Sequence, residues 1–437
     1  MRSKEELQGI VKRFFRSQEA ELTELGNWFW KNPEPGYREQ KTSAMAVKKL
    51  RELGLSVRTG LALTGFRTVI DTGKPGPCVA VLGELDSLII PSHPDADPGT
   101  GAVHACGHNS SLTALIGTAM ALTRTDVTQD LCGKIVLIGC PAEEGIEMAY
   151  RTDLVRQGKI RFIAGKPELI AEGAFDDVDL ALLNHVSGRY GYNDHNGCVN
   201  KMITFLGKSC HAARPEEGHN ALNAANLALH AIGLLRESCS ASGNVRIHGI
   251  ITSGGESMNV IPAKVTMEYM LRAPSIKEII TLNDRFDNIL LHAAKAAECE
   301  AEVATVSGYM PLLNDPDLGK VLGDAVQIHE PGAEFDDNRR FFCSCTDMGD
   351  VSTIMPAVHG YVPGSAGSGH TADFRIAAPE KAYAGSAELA VLTLLELLHG
   401  DGEKAKAIAA KKKDLMPIPE YVKNLEGLNR VVRSRDL

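Results

Sequence analysis

The stretch KIVLIGCPAEEG, residues 134–145, decides how this chain reads. Its first seven residues form an apolar run bounded by turn-formers, the pattern of a strand buried on both faces. Pro141 and Gly145 then permit a turn, and the turn carries Glu143 and Glu144. Consecutive side chains on extended backbone point opposite ways, so both carboxylates reach one site only if the chain turns there. One could then hold a metal ion while the other takes a proton from an activated water.

Working outward, residues 66–71, 78–82 and 180–183 read as further strands, and a helix over 110–124 separates two of them. Helical periodicity covers 19–31 and 41–54, the second ending at Gly54. Strands alternating with helices predict an α/β fold with a mostly parallel central sheet flanked by helices. In such sheets ligands bind at the carboxyl ends of strands. CVAVLGELDSL (78–88) delivers Glu84 and Asp86 to such an end, and DLALLNHV (179–186) delivers His185. A single strand-end carboxylate is usually a cap or a solvated turn residue. Three strands ending in such groups are harder to dismiss.

HACGHN (104–109) sits just before the helix over 110–124. Its Cys106 and His108 flank a glycine that lets the backbone turn tightly, and thiolate and imidazole are ligands for zinc, manganese or iron-class metals. GSGHTADF (367–374) places His370 in a Gly/Ser-rich loop, free to reach a metal. Alone, the first is as well explained by a buried Cys beside a surface His, and the second by a capping loop. Among the strand ends they gain weight.

From about residue 200 the pattern changes. Strands over 201–207, 245–251, 264–272 and 302–306, with helices over 220–236 and 276–297, give the order β-α-β-β-α-β, a ferredoxin-like unit. The expected division is therefore a discontinuous metal-binding catalytic domain, 1–198 and 309–437, and a ferredoxin-like unit over 199–308. KSCHAARP (208–215) and NVIP (259–262) precede a helix and a strand in this unit. His211, Asn259 and Arg272 are suited to holding an oxyanion or a substrate carboxylate, with Arg214 a weaker candidate. A turn or surface role is the plainer account of each taken singly.

The chain has 437 residues, 44% hydrophobic and 23% charged, with net charge −9. That length predicts two domains, and the acidic balance argues against a nucleic-acid partner. No apolar run approaches the roughly 20 residues of a membrane span. The charged start, MRSKEELQGIVKRFFRSQEAEL, reads as an amphipathic helix and not a secretory signal. Ten scattered cysteines then predict reduced thiols in the cytoplasm. The Lys-rich tail from Gly400 is expected to be a solvated surface segment.

Taken in order, GELDSL, HACGHN, CPAEEG, HAARPEEGHNAL, NVIPAKVTMEYMLRAP and CTDMGDVS, followed by a late His, resemble the co-catalytic metallopeptidases of the aminoacylase and carboxypeptidase class. The resemblance lies in the amidohydrolase branch and is closest to the aminobenzoyl-glutamate hydrolase B-subunit type. It implies a catalytic α/β domain holding one or two divalent metal ions, manganese or zinc foremost, with iron or cobalt as alternatives. It implies that the ferredoxin-like unit is a lid and dimerisation domain of a homodimer. By motif, Cys106, His108, Glu144, His185 and His370 resemble the metal ligands, Glu143 the general base and acid, and Asp86 the orienting carboxylate. His211 is similar to a lid His that reaches the partner subunit's active site, and Asn259 and Arg272 to substrate-binding groups. Two departures stand out: Asn109, where many amidohydrolases of the branch carry Asp, and Glu84, where distant relatives carry a metal-binding His.

The expected reaction is hydrolysis of an amide bond in a small, carboxylate-bearing substrate, an N-acyl or aminoacyl amino acid or an aminobenzoyl-glutamate-like compound. The same parts would also serve a hydrolytic deaminase releasing ammonia from an aromatic amine. A non-catalytic partner subunit of a related hydrolase is the alternative of another class.

Overall fold

The computed structural model describes residues 1–239, 244–338 and 340–437. They divide into two compact units. The first comprises Met1–Asp194, Leu313–Arg340 and Asp350–Tyr421, and the second His195–Leu312, Phe341–Gly349 and Val422–Leu437.

The first unit is built on an eight-stranded sheet. Its order is Val57–Leu61, Gly65–Asp71, Lys134–Cys140, Cys78–Glu84, Leu180–Ser187, Ala357–Pro363, Tyr190–Tyr192 and Phe335–Asp336. The pairings among Lys134–Cys140, Cys78–Glu84, Leu180–Ser187 and Ala357–Pro363 are parallel; Gly65–Asp71 and Tyr190–Tyr192 join this centre antiparallel, and at the edges Val57–Leu61 pairs antiparallel and Phe335–Asp336 parallel. The α/β class expected from the alternating pattern is therefore the class observed. Cys78–Glu84 is buried along its whole length, which explains its unbroken apolar reading.

The two helical segments expected near the N-terminus, 1–22 and 19–31, are one helix, Lys4–Trp30. Ser3 caps it: the Glu6 N–H donates to the Ser3 hydroxyl while the Glu6 carboxylate accepts from the Ser3 N–H. Leu7, Val11, Phe15, Leu22 and Phe29 face the core, the spacing of an amphipathic helix. Helix His108–Arg124 is buried on nearly every side, and Gly83 lets it come close to the sheet. A Cβ at Gly83 would meet the Leu112 Cα at 3.0 Å.

The second unit carries a five-stranded sheet in the order Arg246–Ser253, Lys264–Ala273, Gly197–Leu206, Glu300–Ser307, Arg430–Arg433. Its first four strands and the helices Ala221–Leu235 and Ile276–Ala296 follow the β-α-β-β-α-β order along the chain. The fifth strand comes from outside the span expected for this unit. Arg430–Arg433 pairs antiparallel with Glu300–Ser307, Arg430 binds Asp284 and Asp287, and Arg433 binds Glu302. Residues 422–437, with 341–349, group with the second unit.

The segment from Gly400 is likewise no solvated tail. Ala405, Ile408 and Tyr421 are buried, and Lys411 pairs with Asp315 and Asp317. Lysines at helical spacing read as exposed, but the small and aromatic residues between them supply a packing face. Among the described residues no helix is long and apolar enough to cross a membrane. All ten cysteines are free thiols.

Candidate active site

The site of the first unit begins where strand Cys78–Glu84 ends. Glu84 and Asp86 follow one another with Leu85 between them, so both turn to the same side, and both are buried. Asp86 organises what surrounds it. Its Oδ1 accepts from the His108 Nδ1–H at 3.0 Å and its Oδ2 from the Glu144 backbone N–H at 2.8 Å. With Nδ1 carrying that proton, His108 turns Nε2 toward Glu84 Oε2, 3.5 Å away, and Glu143 Oε2, 3.8 Å away.

His108 opens its helix because Gly107 adopts φ +82° as the N-cap, a left-handed conformation that glycine takes without strain. A Cβ there would also stand 2.2 Å from Val186 Cγ1. His185 donates from Nδ1 to the Val186 carbonyl, which leaves Nε2 facing Cys106 Sγ at 3.4 Å. The more exposed His370, at φ +65°, is anchored by its N–H on the Ala105 carbonyl, and its Nε2 lies 3.3 Å from Glu144 Oε1.

The turn expected between Pro141 and Gly145 is made at Ala142, with φ +53°. A left-handed alanine costs about 1–2 kcal/mol, so the surroundings must impose it. Its N–H donates to Glu39 Oε1 at 2.8 Å, and its carbonyl accepts from Arg151 Nη1 at 3.2 Å. The turn brings Glu143 and Glu144 to the same cluster. Ligand atoms come within 4.8 Å of one another among Cys106, His108 and His185, among Cys106, Glu144 and His370, and among His108, Glu143 and Glu144.

Electrostatics follow from this crowding. Burial opposes the Asp86 charge, but the His108 hydrogen bond and charge outweigh it and hold the carboxyl at about 2. Burial likewise opposes a charged His108, yet Glu84, Cys106 and Asp86 together raise it well above its ordinary value. His185 is pulled down to about 4 by burial, against the pull of Glu84. Burial, then Glu144, pushes the Cys106 thiol up. His104 is buried behind the cluster and held at about 3, chiefly by burial. The field that favours a proton on His108 Nε2 equally favours a cation.

The residues fit a divalent metal ion on two observations. Glu84 Oε2 and Glu144 Oε1 are buried without a hydrogen bond among the described residues, a costly state unless something else binds them. The donor set of thiol, imidazole and carboxylate suits zinc, manganese, iron or cobalt.

Several functional neighbours escaped the sequence reading. Lys166 and Glu84 are both buried and joined by a 2.7 Å ion pair from Nζ to Oε1. No pattern in GKPELI announces a buried lysine. Glu39, in EPGYREQ, and Arg151 were also missed, since each reads as a surface charge. Burial, then the Asp86 charge, raises Glu39 to about 7. Asn109 does not face the cluster: its Nδ2 donates to the Gly26 carbonyl and the Tyr383 hydroxyl, tying three helical segments together. The departure from Asp is thus a packing matter.

His211, Asn259 and Arg272 lie in the second unit. His211 and Asn259 are exposed on adjoining loops, where the Ala212 N–H donates to the Asn259 carbonyl. Arg272 is half-buried on strand Lys264–Ala273 beside the Cys343 carbonyl. Arg214 is exposed and pairs with Glu217.

A parallel-sheet domain whose strand ends gather carboxylates, imidazoles and a thiol has the architecture of the metal-dependent hydrolases. The comparison with known proteins narrows the class: the chain belongs to Peptidase family M20/M25/M40, a family of hydrolases, whose profile matches residues 80–396. It is 32% identical over 346 residues to the human (Homo sapiens) Xaa-Arg dipeptidase, covering 76% of this chain and 70% of that protein. It is 27% identical over 321 residues to the B component of the p-aminobenzoyl-glutamate hydrolase of Escherichia coli, covering 70% and 63%. That second likeness supports the amidohydrolase branch read from the motifs. Among solved structures, a Bacillus subtilis protein described as a dinuclear metal-binding peptidase of the M20 family superposes with a TM-score of 0.64 at 18% identity. The match covers 88% of this chain and 99% of that one, and it shows the fold.

Proposed function

We propose that this protein hydrolyses the amide C–N bond of a small N-acyl or aminoacyl amino acid, an aminobenzoyl-glutamate-like compound included. The observation that carries the reading is the left-handed turn at Ala142, which aims two adjacent carboxylates at a cluster of His and Cys side chains. Cys106, His108, Glu144, His185 and His370 would hold one or two divalent ions, manganese or zinc foremost. When bound, such an ion supplies Lewis acidity to the scissile carbonyl and to the attacking water.

The chain's own groups do the rest. Asp86 fixes the His108 tautomer and the Glu144 backbone. Glu143 takes a proton from the attacking water as the water adds to the carbonyl carbon. It returns that proton to the leaving nitrogen as the C–N bond breaks, so the base is regenerated. By motif, His211 is assigned to the developing oxyanion at the partner subunit's site, and Asn259 and Arg272 to substrate binding. The second unit is also taken as the lid and homodimerisation module, with the cytoplasm as the site of action. Sedimentation equilibrium checks the dimer.

The test is a panel of N-acyl amino acids, dipeptides and aromatic amines, assayed with metal analysis. Glu143→Gln should keep metal content near wild type and lower kcat at least 100-fold, the scale of a general base. Retained turnover would remove Glu143 from the mechanism. Release of ammonia without an amino acid would redirect the reaction to deamination.

A further inference from the structure

Helix Gln40–Glu52 begins at Glu39, yet the Glu39 side chain makes no capping bond. Glu34 takes that duty instead, accepting from the Lys41 and Thr42 N–H groups. Glu39 is thereby released to reach Ala142, more than a hundred residues away in sequence. It is fully buried, with Oε2 accepting from the Thr64 hydroxyl at 2.7 Å and Oε1 from the Ala142 N–H at 2.8 Å.

The other face of the Ala142 peptide is held as firmly. Arg151, also fully buried, donates to the carbonyls of Ala142 and Ile163, and the Gly165 N–H adds a second bond to the Ala142 carbonyl. Gly36 leaves room for this arrangement. A Cβ there would stand 2.3 Å from Arg151 Nη2 and 2.8 Å from the Ala142 Cα.

We propose that Glu39 and Arg151 are positioning residues for the reaction. By gripping the N–H and carbonyl of Ala142 they impose its left-handed conformation, and this sends Glu143 and Glu144 to one side of the chain. Without the grip, Ala142 relaxes toward ordinary backbone, and one of the two adjacent carboxylates swings out of the cluster. The clamp thus acts on proton transfer through Glu143 and on metal affinity through Glu144. This inference rests on the hydrolytic reading above.

The experiment compares Glu39→Ala, Glu39→Gln and Glu39→Asp with wild type. Readouts are kcat and KM on the best substrate of the panel, and calorimetric binding of manganese or zinc to chelator-stripped protein. Glu39→Ala should lower kcat and metal affinity each about tenfold or more, with KM within about twofold. Glu39→Gln keeps an acceptor for the Ala142 N–H and should recover most of both losses. Glu39→Asp falls short by one methylene and should resemble Ala; it also serves if the alanine variant does not fold.

At saturating metal, adding Glu39→Ala to Glu143→Gln should lower kcat little further, because the remaining effect of Glu39 on turnover runs through Glu143. A Glu39→Ala or Glu39→Asp protein that melts earlier but keeps wild-type kcat and metal affinity would reduce the clamp to a stabilising contact and overturn the proposal. So would a Gln variant as impaired as Ala. Failure of the hydrolytic reading is told apart by the wild-type protein on the panel: there no amide is cleaved, or ammonia is released without an amino acid.

Discussion

Replacing Lys166 with Met should destabilise the first unit more than any comparable surface change. Lys166 is 0% exposed and Glu84 1%, with Nζ 2.7 Å from Oε1, so water does not screen the pair. Burial pushes the Glu84 carboxyl up, but Lys166 and then His108 more than offset that and hold it below its ordinary value. Removing one member of a buried pair strands the other charge, at about 3–5 kcal/mol. His108 Nε2, 3.5 Å from Glu84 Oε2, compensates part of this and places the expectation near the lower figure.

Both tryptophans, Trp28 and Trp30, lie in the helix Lys4–Trp30, so their fluorescence reports unfolding of the first unit alone. Taking a urea slope of about 3 kcal/mol/M, the midpoint of chelator-stripped protein should fall by about 1 M. The double variant Lys166→Met/Glu84→Gln removes both charges and should regain more than half of the loss. A single-variant shift below about 0.3 M, or a double variant no better than the single, would refute the buried ion pair as a source of stability.

Two further outcomes are expected. Gly107→Ala places a Cβ against Val186 at φ +82° and should destabilise the protein by about 2 kcal/mol or more while lowering the metal retained after desalting. Normal metal content by elemental analysis would contradict the tight Cys106–His108 turn. In the second unit, buried Lys201 beside Asp287 is held down at about 8, chiefly by burial. Below pH 8 both folded and unfolded chains carry this proton, and between about 8 and 10.5 only the unfolded chain does. Wild type should therefore gain stability relative to Lys201→Met as pH rises from 7 to 9.5, by at most about 1.4 kcal/mol per unit. Parallel urea curves by circular dichroism that show a constant difference would count against the shift.

Several of the strands legible in advance are buried on both faces, so their composition is apolar without interruption. Cys78–Glu84 and Lys134–Cys140 are of this kind. The edge strands Val57–Leu61 and Phe335–Asp336 are short and half-exposed, and nothing in their composition sets them apart from loops. Arg430–Arg433 was hidden among charges because its pairing partner lies far back in the chain. The same contrast holds in the site. Cys106, His108, Glu143, Glu144, His185 and His370 are chemically distinctive and follow strand ends or glycine-rich turns, so they could be nominated one by one.

Sequence alone was enough to name the fold class and the family resemblance and to nominate the candidate site residues, because these reside in residue type and local order. It could not say which charges are buried. Lys166, Glu39 and Arg151 read as solvated surface residues, yet all three are buried; Lys166 and Glu39 find their partners 82 and 103 residues away, and Arg151 finds its acceptors on the nearby Ala142 and Ile163. The same is true of Asn109, whose amide is spent on the Gly26 carbonyl and the Tyr383 hydroxyl rather than on the cluster. The turn in KIVLIGCPAEEG was allowed by Pro141 and Gly145. Its actual hinge is Ala142, whose left-handed backbone is gripped by Glu39, 103 residues back in the chain, and by Arg151, nine residues on.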